Sequence, residues 1–137
     1  MPIQFKPVVS VLLLTALLVA CGGGMSRNDK LRDAVYYFNE GVRWGRIQDV
    51  LPRLDPEAEA HFLEMHKDFG TKIQLSSCEV GNVKINFDEG VAEVTVKFTW
   101  YRVDEMVVHQ TILVQNWKET KGKWYMAREE YHSGTPF

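Results

Sequence analysis

Residues 91–103, VAEVTVKFTWYRV, alternate apolar and polar side chains from Ala92 to Trp100. Ala92, Val94, Val96, Phe98 and Trp100 face one way; Glu93, Thr95, Lys97 and Thr99 face the other. A strand sends successive side chains to opposite faces, so this period of two predicts a β-strand with one buried side. The pattern extends outward in both directions. Asp104-Glu105 is a turn signal, and residues 106–117, MVVHQTILVQNW, form the next strand. Lys118 to Lys123 is a polar loop, and 124–131 is the last strand. Toward the N-terminus, Asp88-Glu89-Gly90 is a turn. Gly81-Asn82 reads as a two-residue hairpin loop between strands 72–80 and 83–88.

Before Lys72 the period becomes helical. Ser26 is read as an N-cap with Asp29 three residues on. Leu31, Ala34, Val35, Phe38 and Val42 recur at helical spacing, and the helix is expected to end near Gly41 or Gly45. Trp44, Ile47, Val50 and Leu51 suggest a short second helix, stopped by Pro52. Asp55-Pro56-Glu57 starts a third, with Ala58, His61, Phe62, Met65 and Phe69 on its apolar face and Gly70 at its end. His61 and His66 are five apart, about 140° around a helix. They are read as surface or boundary histidines, and no metal site is expected. Three helices followed by an antiparallel meander make an α+β fold.

A two-residue loop at Asp104-Glu105 sets the pairing of the central strands. Trp100 then lies opposite His109, Phe98 opposite Thr111, Val96 opposite Leu113 and Ala92 opposite Trp117. Pairing Trp117 with Trp124 puts Met126, Arg128, Glu130 and His132 on the same face. One end of that face is apolar. The other gathers Trp100, His109, Thr111, Arg128 and Glu130, the polar-on-apolar composition of a ligand pocket. His109, Glu130 and Tyr37 are the candidates for acid/base chemistry, although no catalytic motif names them. On the opposite face Val108, Ile112 and Val114 lie beside Tyr101 and Val91. A strand apolar on both faces calls for a second partner, either another copy or an envelope protein.

The first twenty residues are of another kind. Lys6 is followed by the apolar run Val8 to Ala20, the length of a secretory h-region and too short to span a bilayer. Leu18-Val19-Ala20-Cys21 resembles the lipobox of bacterial lipoproteins. That resemblance implies cleavage before Cys21, acylation of its thiol and anchoring in membrane lipid. Gly22 stands where an inner-membrane lipoprotein would carry Asp, which implies the outer membrane, facing the periplasm. Residues 1–20 are thus read as a signal peptide, 21–27 as lipidated cysteine and tether, and 28–137 as the domain. Removing 20 of 137 residues leaves 117, enough for one cored domain. Of 16 basic side chains, loss of Lys6 leaves 15 against 18 acidic, with no basic stripe, so nucleic acid is excluded as a partner. With Cys21 acylated, Cys78 has no disulfide partner and is read as a buried small residue.

The element order, the strand VAEVTVKFTWYRV and the closing hairpin NWKETKGKWYMA together resemble the NTF2-like superfamily, which includes SnoaL-like and ketosteroid-isomerase-like proteins. The resemblance implies helices folded over a strongly curved sheet, enclosing a conical cavity. It also implies either of two functions. One is a binding or assembly module in the cell envelope, which the lack of a catalytic signature favours. The other is a small isomerase or cyclase acting on an apolar ligand. No cofactor is expected for either.

Overall fold

The structure is a computed structural model that describes residues 23–137. The signal segment and Cys21 lie outside the described residues. Helix α1 spans Arg27–Arg43, α2 Ile47–Val50 and α3 Glu59–Met65. Strands β1 (Ile73–Asn86), β2 (Val91–Arg102), β3 (Val108–Thr120) and β4 (Lys123–Gly134) form one antiparallel sheet in the order β1-β2-β3-β4. The helices pack on one face of this curved sheet.

The caps form as the sequence implies. The Ser26 hydroxyl accepts from the Asp29 amide at 3.1 Å, satisfying one of the unpaired donors of the first turn. Asp55 accepts from the Glu57 amide at 3.1 Å and starts a single 3₁₀ turn, Pro56–Ala58, that leads into α3. Leu31, Ala34, Val35, Phe38 and Val42 are all buried. They meet Ala92, Val94, Val96, Phe98 and Trp100 from β2, and Leu113 and Trp117 from β3. Phe38 sits edge-on between Phe62 and Trp117, with ring centroids at 5.6 and 5.4 Å. Each large apolar side chain removed from water here contributes about 1.5–3 kcal/mol.

The β2–β3 pairing is as expected: Trp100 faces His109, Phe98 faces Thr111, Val96 faces Leu113 and Ala92 faces Trp117. The register holds although the loop is longer than two residues, since β2 ends at Arg102 and β3 begins at Val108.

Three expectations are corrected. Gly81-Asn82 is not a hairpin loop. Residues 73–86 form one strand paired to β2 throughout, with a bulge between Val80 and Val83 and another between Leu75 and Ser77. A glycine inside a strand marks a bulge as readily as a turn. The 118–123 segment is not a loop either. Strands β3 and β4 run to a two-residue turn, Lys121-Gly122, with φ of 51° and 75°. Such a turn needs φ > 0 at both positions, which glycine adopts freely and lysine does not. The third correction changes the site. Trp117 pairs with Met126, not Trp124, and Asn116 pairs with Arg128. The extra residue between Met126 and Arg128 is a β-bulge that reverses the facing of the residues after it, as far as a second shift between Tyr131 and Ser133.

The two sheet edges differ. The outer edge of β4 is partly covered, because Leu54 bridges Met126 and the Asp55 amide donates to the Met126 carbonyl at 2.9 Å. The outer edge of β1 carries the two bulges.

Candidate functional site

The bulge in β4 turns Glu129 inward. It is 1% exposed, in the middle of the core, while Arg128 and Glu130 point to solvent and pair with each other. Glu129 lies between two partners. One carboxylate oxygen accepts from the Gln115 side-chain amide at 2.6 Å, and the other is hydrogen-bonded to Nε2 of His66. Gln115 and Asn39 exchange side-chain hydrogen bonds of 2.8 and 3.1 Å, and Asn39 also donates to the Val35 carbonyl. A chain of four buried polar side chains, Asn39–Gln115–Glu129–His66, therefore crosses the interior from α1 to the segment after α3. Each link offsets a desolvation cost of about 1–3 kcal/mol that an unpaired group would carry.

His66 is 4% exposed, not at the surface as its helical projection suggested. Helix α3 ends at Met65, and His66 caps it with φ −104° and ψ 14°. Unwinding at that point swings the imidazole inward. It stacks on Phe62 at 4.3 Å and meets Phe69 edge-on at 4.5 Å, with Phe137 at 6.0 Å. Its Nδ1 is buried without a hydrogen-bond partner. His61 stays on the exposed side of α3, with Nε2 3.2 Å from the Glu129 backbone carbonyl. Among the described residues no group of three His, Cys, Asp or Glu side chains could hold a metal ion.

The aromatic part of the expected pocket does assemble. Trp100 stacks on His109 at 4.6 Å, and its indole N–H donates to the Thr111 hydroxyl at 2.8 Å. Thr111 in turn donates to the Thr135 carbonyl. Phe137 fills the space beside them, 5.5 Å from Trp100 and 4.7 Å from Phe69. Glu130 does not join this group. It pairs with Val114 on the outer face, five residues along β3 from His109, or about 17 Å. Tyr37 does not join it either. Its ring lies in a separate groove under the Arg53 guanidinium, 5.5 Å away.

That groove, of about 1010 Å³, lies between α1, the segment after α2 and the β3–β4 turn. Elsewhere on the surface, Arg27 donates to the Glu119 carboxylate. This hydrogen bond holds Glu119 below the usual carboxylate range and raises Arg27. Cys78 packs half-buried against the core. Burial pushes its thiol up to about 12, so it is a poor nucleophile at neutral pH. On the outer sheet face Val108 is 66% exposed and Ile112 and Val114 are half-buried, with no second layer among the described residues.

Two solved structures share this architecture. An NTF2-like protein from Cytophaga hutchinsonii superposes with a TM-score of 0.58 at 13% identity, over 75% of this chain and 95% of that one. The fold is NTF2-like. A protein of unknown function with a cystatin-like fold, from Nostoc punctiforme, superposes at 0.54 and 13% identity, over 78% of this chain and 92% of its own. No family model matches the sequence, and no curated protein matches it. In NTF2-like terms, the helices close one side of the cone and β2–β4 form its wall. The Glu129–His66 pair lies inside the cone and the Trp100–His109 stack lies toward one end of it. The sequence pointed to the stack through strand alternation. It missed the pair because the bulge and the early end of α3 break the two periods on which such a reading depends.

Proposed function

We propose that this chain is a lipoprotein, anchored through acylated Cys21 in the outer membrane facing the periplasm, whose NTF2-like domain serves as a binding or assembly module of the cell envelope. The observation that carries the module is the aromatic packing that occupies the space around His109. Phe137, Phe98, Phe69 and Trp100 occupy the space beside His109. Asn39, Gln115, Glu129 and His66 are linked to one another inside, and Glu130 lies outside. The anchor follows from Leu18 to Cys21 in the sequence. The outer sheet face, with Val108, Ile112 and Val114, is the surface offered to a second copy or to an envelope protein.

Two measurements test this. Metabolic labelling with a fatty-acid probe should mark the wild type and not Cys21→Ala; labelling that persists in the mutant refutes the anchor. Sedimentation of the soluble domain from Ser26 onward should show self-association that Ile112→Lys removes, or membrane pull-down should recover a partner that the same change releases. A folded Ile112→Lys protein unchanged in both rejects the interface.

One observation favours the alternative, an isomerase- or cyclase-like enzyme acting on an apolar ligand: the unpartnered Nδ1 of His66 beside a buried carboxylate. An apolar ring compound that shifts the His66 imidazole resonances, and fails to do so in Glu129→Gln, would favour it over the module.

A further inference from the structure

We propose that the groove between α1 and the β3–β4 turn binds anionic phospholipid headgroups and seats that end of the domain on the membrane surface. This rests on the anchor proposed above and adds an orientation to it. The groove is lined by Lys30, Arg46, Arg53, Lys121 and Lys123 against Asp33 and Asp49. Five cations and two anions give it a formal charge of +3. Residues 23–137 carry 15 basic and 18 acidic side chains, so everything outside the groove has 10 against 16, or −6. One third of the cations of a net-acidic chain are thus gathered in one groove. Of the five, only Arg46 pairs with a carboxylate among the described residues, Asp49 at 3.6 Å.

Two further features agree with a lipid surface. Tyr37 and Tyr125 lie among the cations, and aromatic rings with basic side chains are the composition that settles at headgroup level. Lys121 holds its cation at the tip of the turn in a left-handed conformation that Asn or Gly would adopt more readily. The position of the groove supplies the reason for a membrane partner. Met25 lines it, so the chain enters the domain there. Met25 follows Cys21 by four positions, a reach of at most about 14 Å. An acyl chain on Cys21 keeps this groove, and not the Val103–Val108 end of the sheet, within reach of headgroups. Near an anionic leaflet each lysine strengthens surface binding roughly five-fold, and salt screens the effect.

The test uses the full chain purified from membranes and reconstituted into vesicles of phosphatidylcholine alone or with phosphatidylglycerol. A water-soluble amine reagent is applied, and the labelling of each lysine is read by mass spectrometry. Phosphatidylglycerol should protect Lys30, Lys121 and Lys123 about five-fold or more. Lys97, on the outer sheet face opposite Ile112, should label equally in both vesicles. High salt, or the double change Lys121→Glu with Lys123→Glu, should abolish the difference. Equal labelling of the groove lysines in the two vesicle types overturns the proposal. The same spectra report the mass of the Cys21 peptide, so failure of the anchor is seen separately. If Cys21 carries no acyl group, flotation with phosphatidylglycerol vesicles decides the groove alone. Salt-sensitive flotation lost in the double variant supports it, and absence of flotation overturns it.

Discussion

The two hairpins on either side of β3 obey different rules. Between β2 and β3 the register runs without a shift from Tyr101–Val108 to Val91–Lys118. Every second residue of β2 from Ala92 to Trp100 is therefore buried. Between β3 and β4 the register slips twice, at Asn116/Trp117 and at Ile112/Leu113. Trp124 and Met126 face inward before the first slip, and Glu129 faces inward after it. The regular hairpin builds an apolar wall. The irregular one uses an extra residue to bring a carboxylate into that wall at the height of His66 and Gln115. A bulge can re-aim a side chain where pure alternation would have left it in solvent.

The contrast can be broken at its regular side first. Phe98→Ala should cost about 3–5 kcal/mol in denaturant unfolding, because a buried ring is replaced by a cavity. Thr95→Ala, on the outer face of the same strand, should cost under about 1 kcal/mol. Equal losses would mean that β2 has no buried face. The irregular side gives the next largest effect. Glu129→Ala strands the Gln115 amide and the His66 imidazole and should cost about 2–4 kcal/mol. Glu130→Ala, one residue along, should again stay under about 1 kcal/mol. If Glu130→Ala proves the costlier, the bulge is misplaced. The smallest effect belongs to the turn that joins the two strands. Lys121→Gly should raise stability by about 1 kcal/mol, by relieving a left-handed lysine. A loss of stability there would show that the lysine side chain contributes contacts to the fold.

These residues also mark how far the sequence could be read. The stripe of α1, the caps at Ser26 and Asp55 and the β2–β3 pairing are written in unbroken periods, and so the α+β, NTF2-like architecture could be read from them. Trp100, His109 and Thr111 came with that pairing. Glu129 could not be separated from Glu130 in the same way. The two are adjacent and chemically alike, and the Ala127 that precedes Arg128 fits either face, so nothing in WYMAREEY signals a change of phase. Gly81-Asn82 suits a turn and a bulge equally well. His66 follows an amphipathic helix with no glycine or proline to announce that α3 has already ended.

The bulges in β1 have a consequence for the behaviour of many copies together. An open sheet has two edges, each with free amides and carbonyls able to pair with a neighbouring molecule. The Leu54–Asp55 segment occupies part of one edge. The other is interrupted at Leu75/Ser77 and at Val80/Val83, and a kinked strand offers no long flat template for fibre growth. Val80 and Val83, both substantially exposed beside the second interruption, would otherwise sit in a straight apolar edge of the kind that seeds aggregation. Local irregularity in β1 therefore protects solubility, at the cost of a few ladder hydrogen bonds.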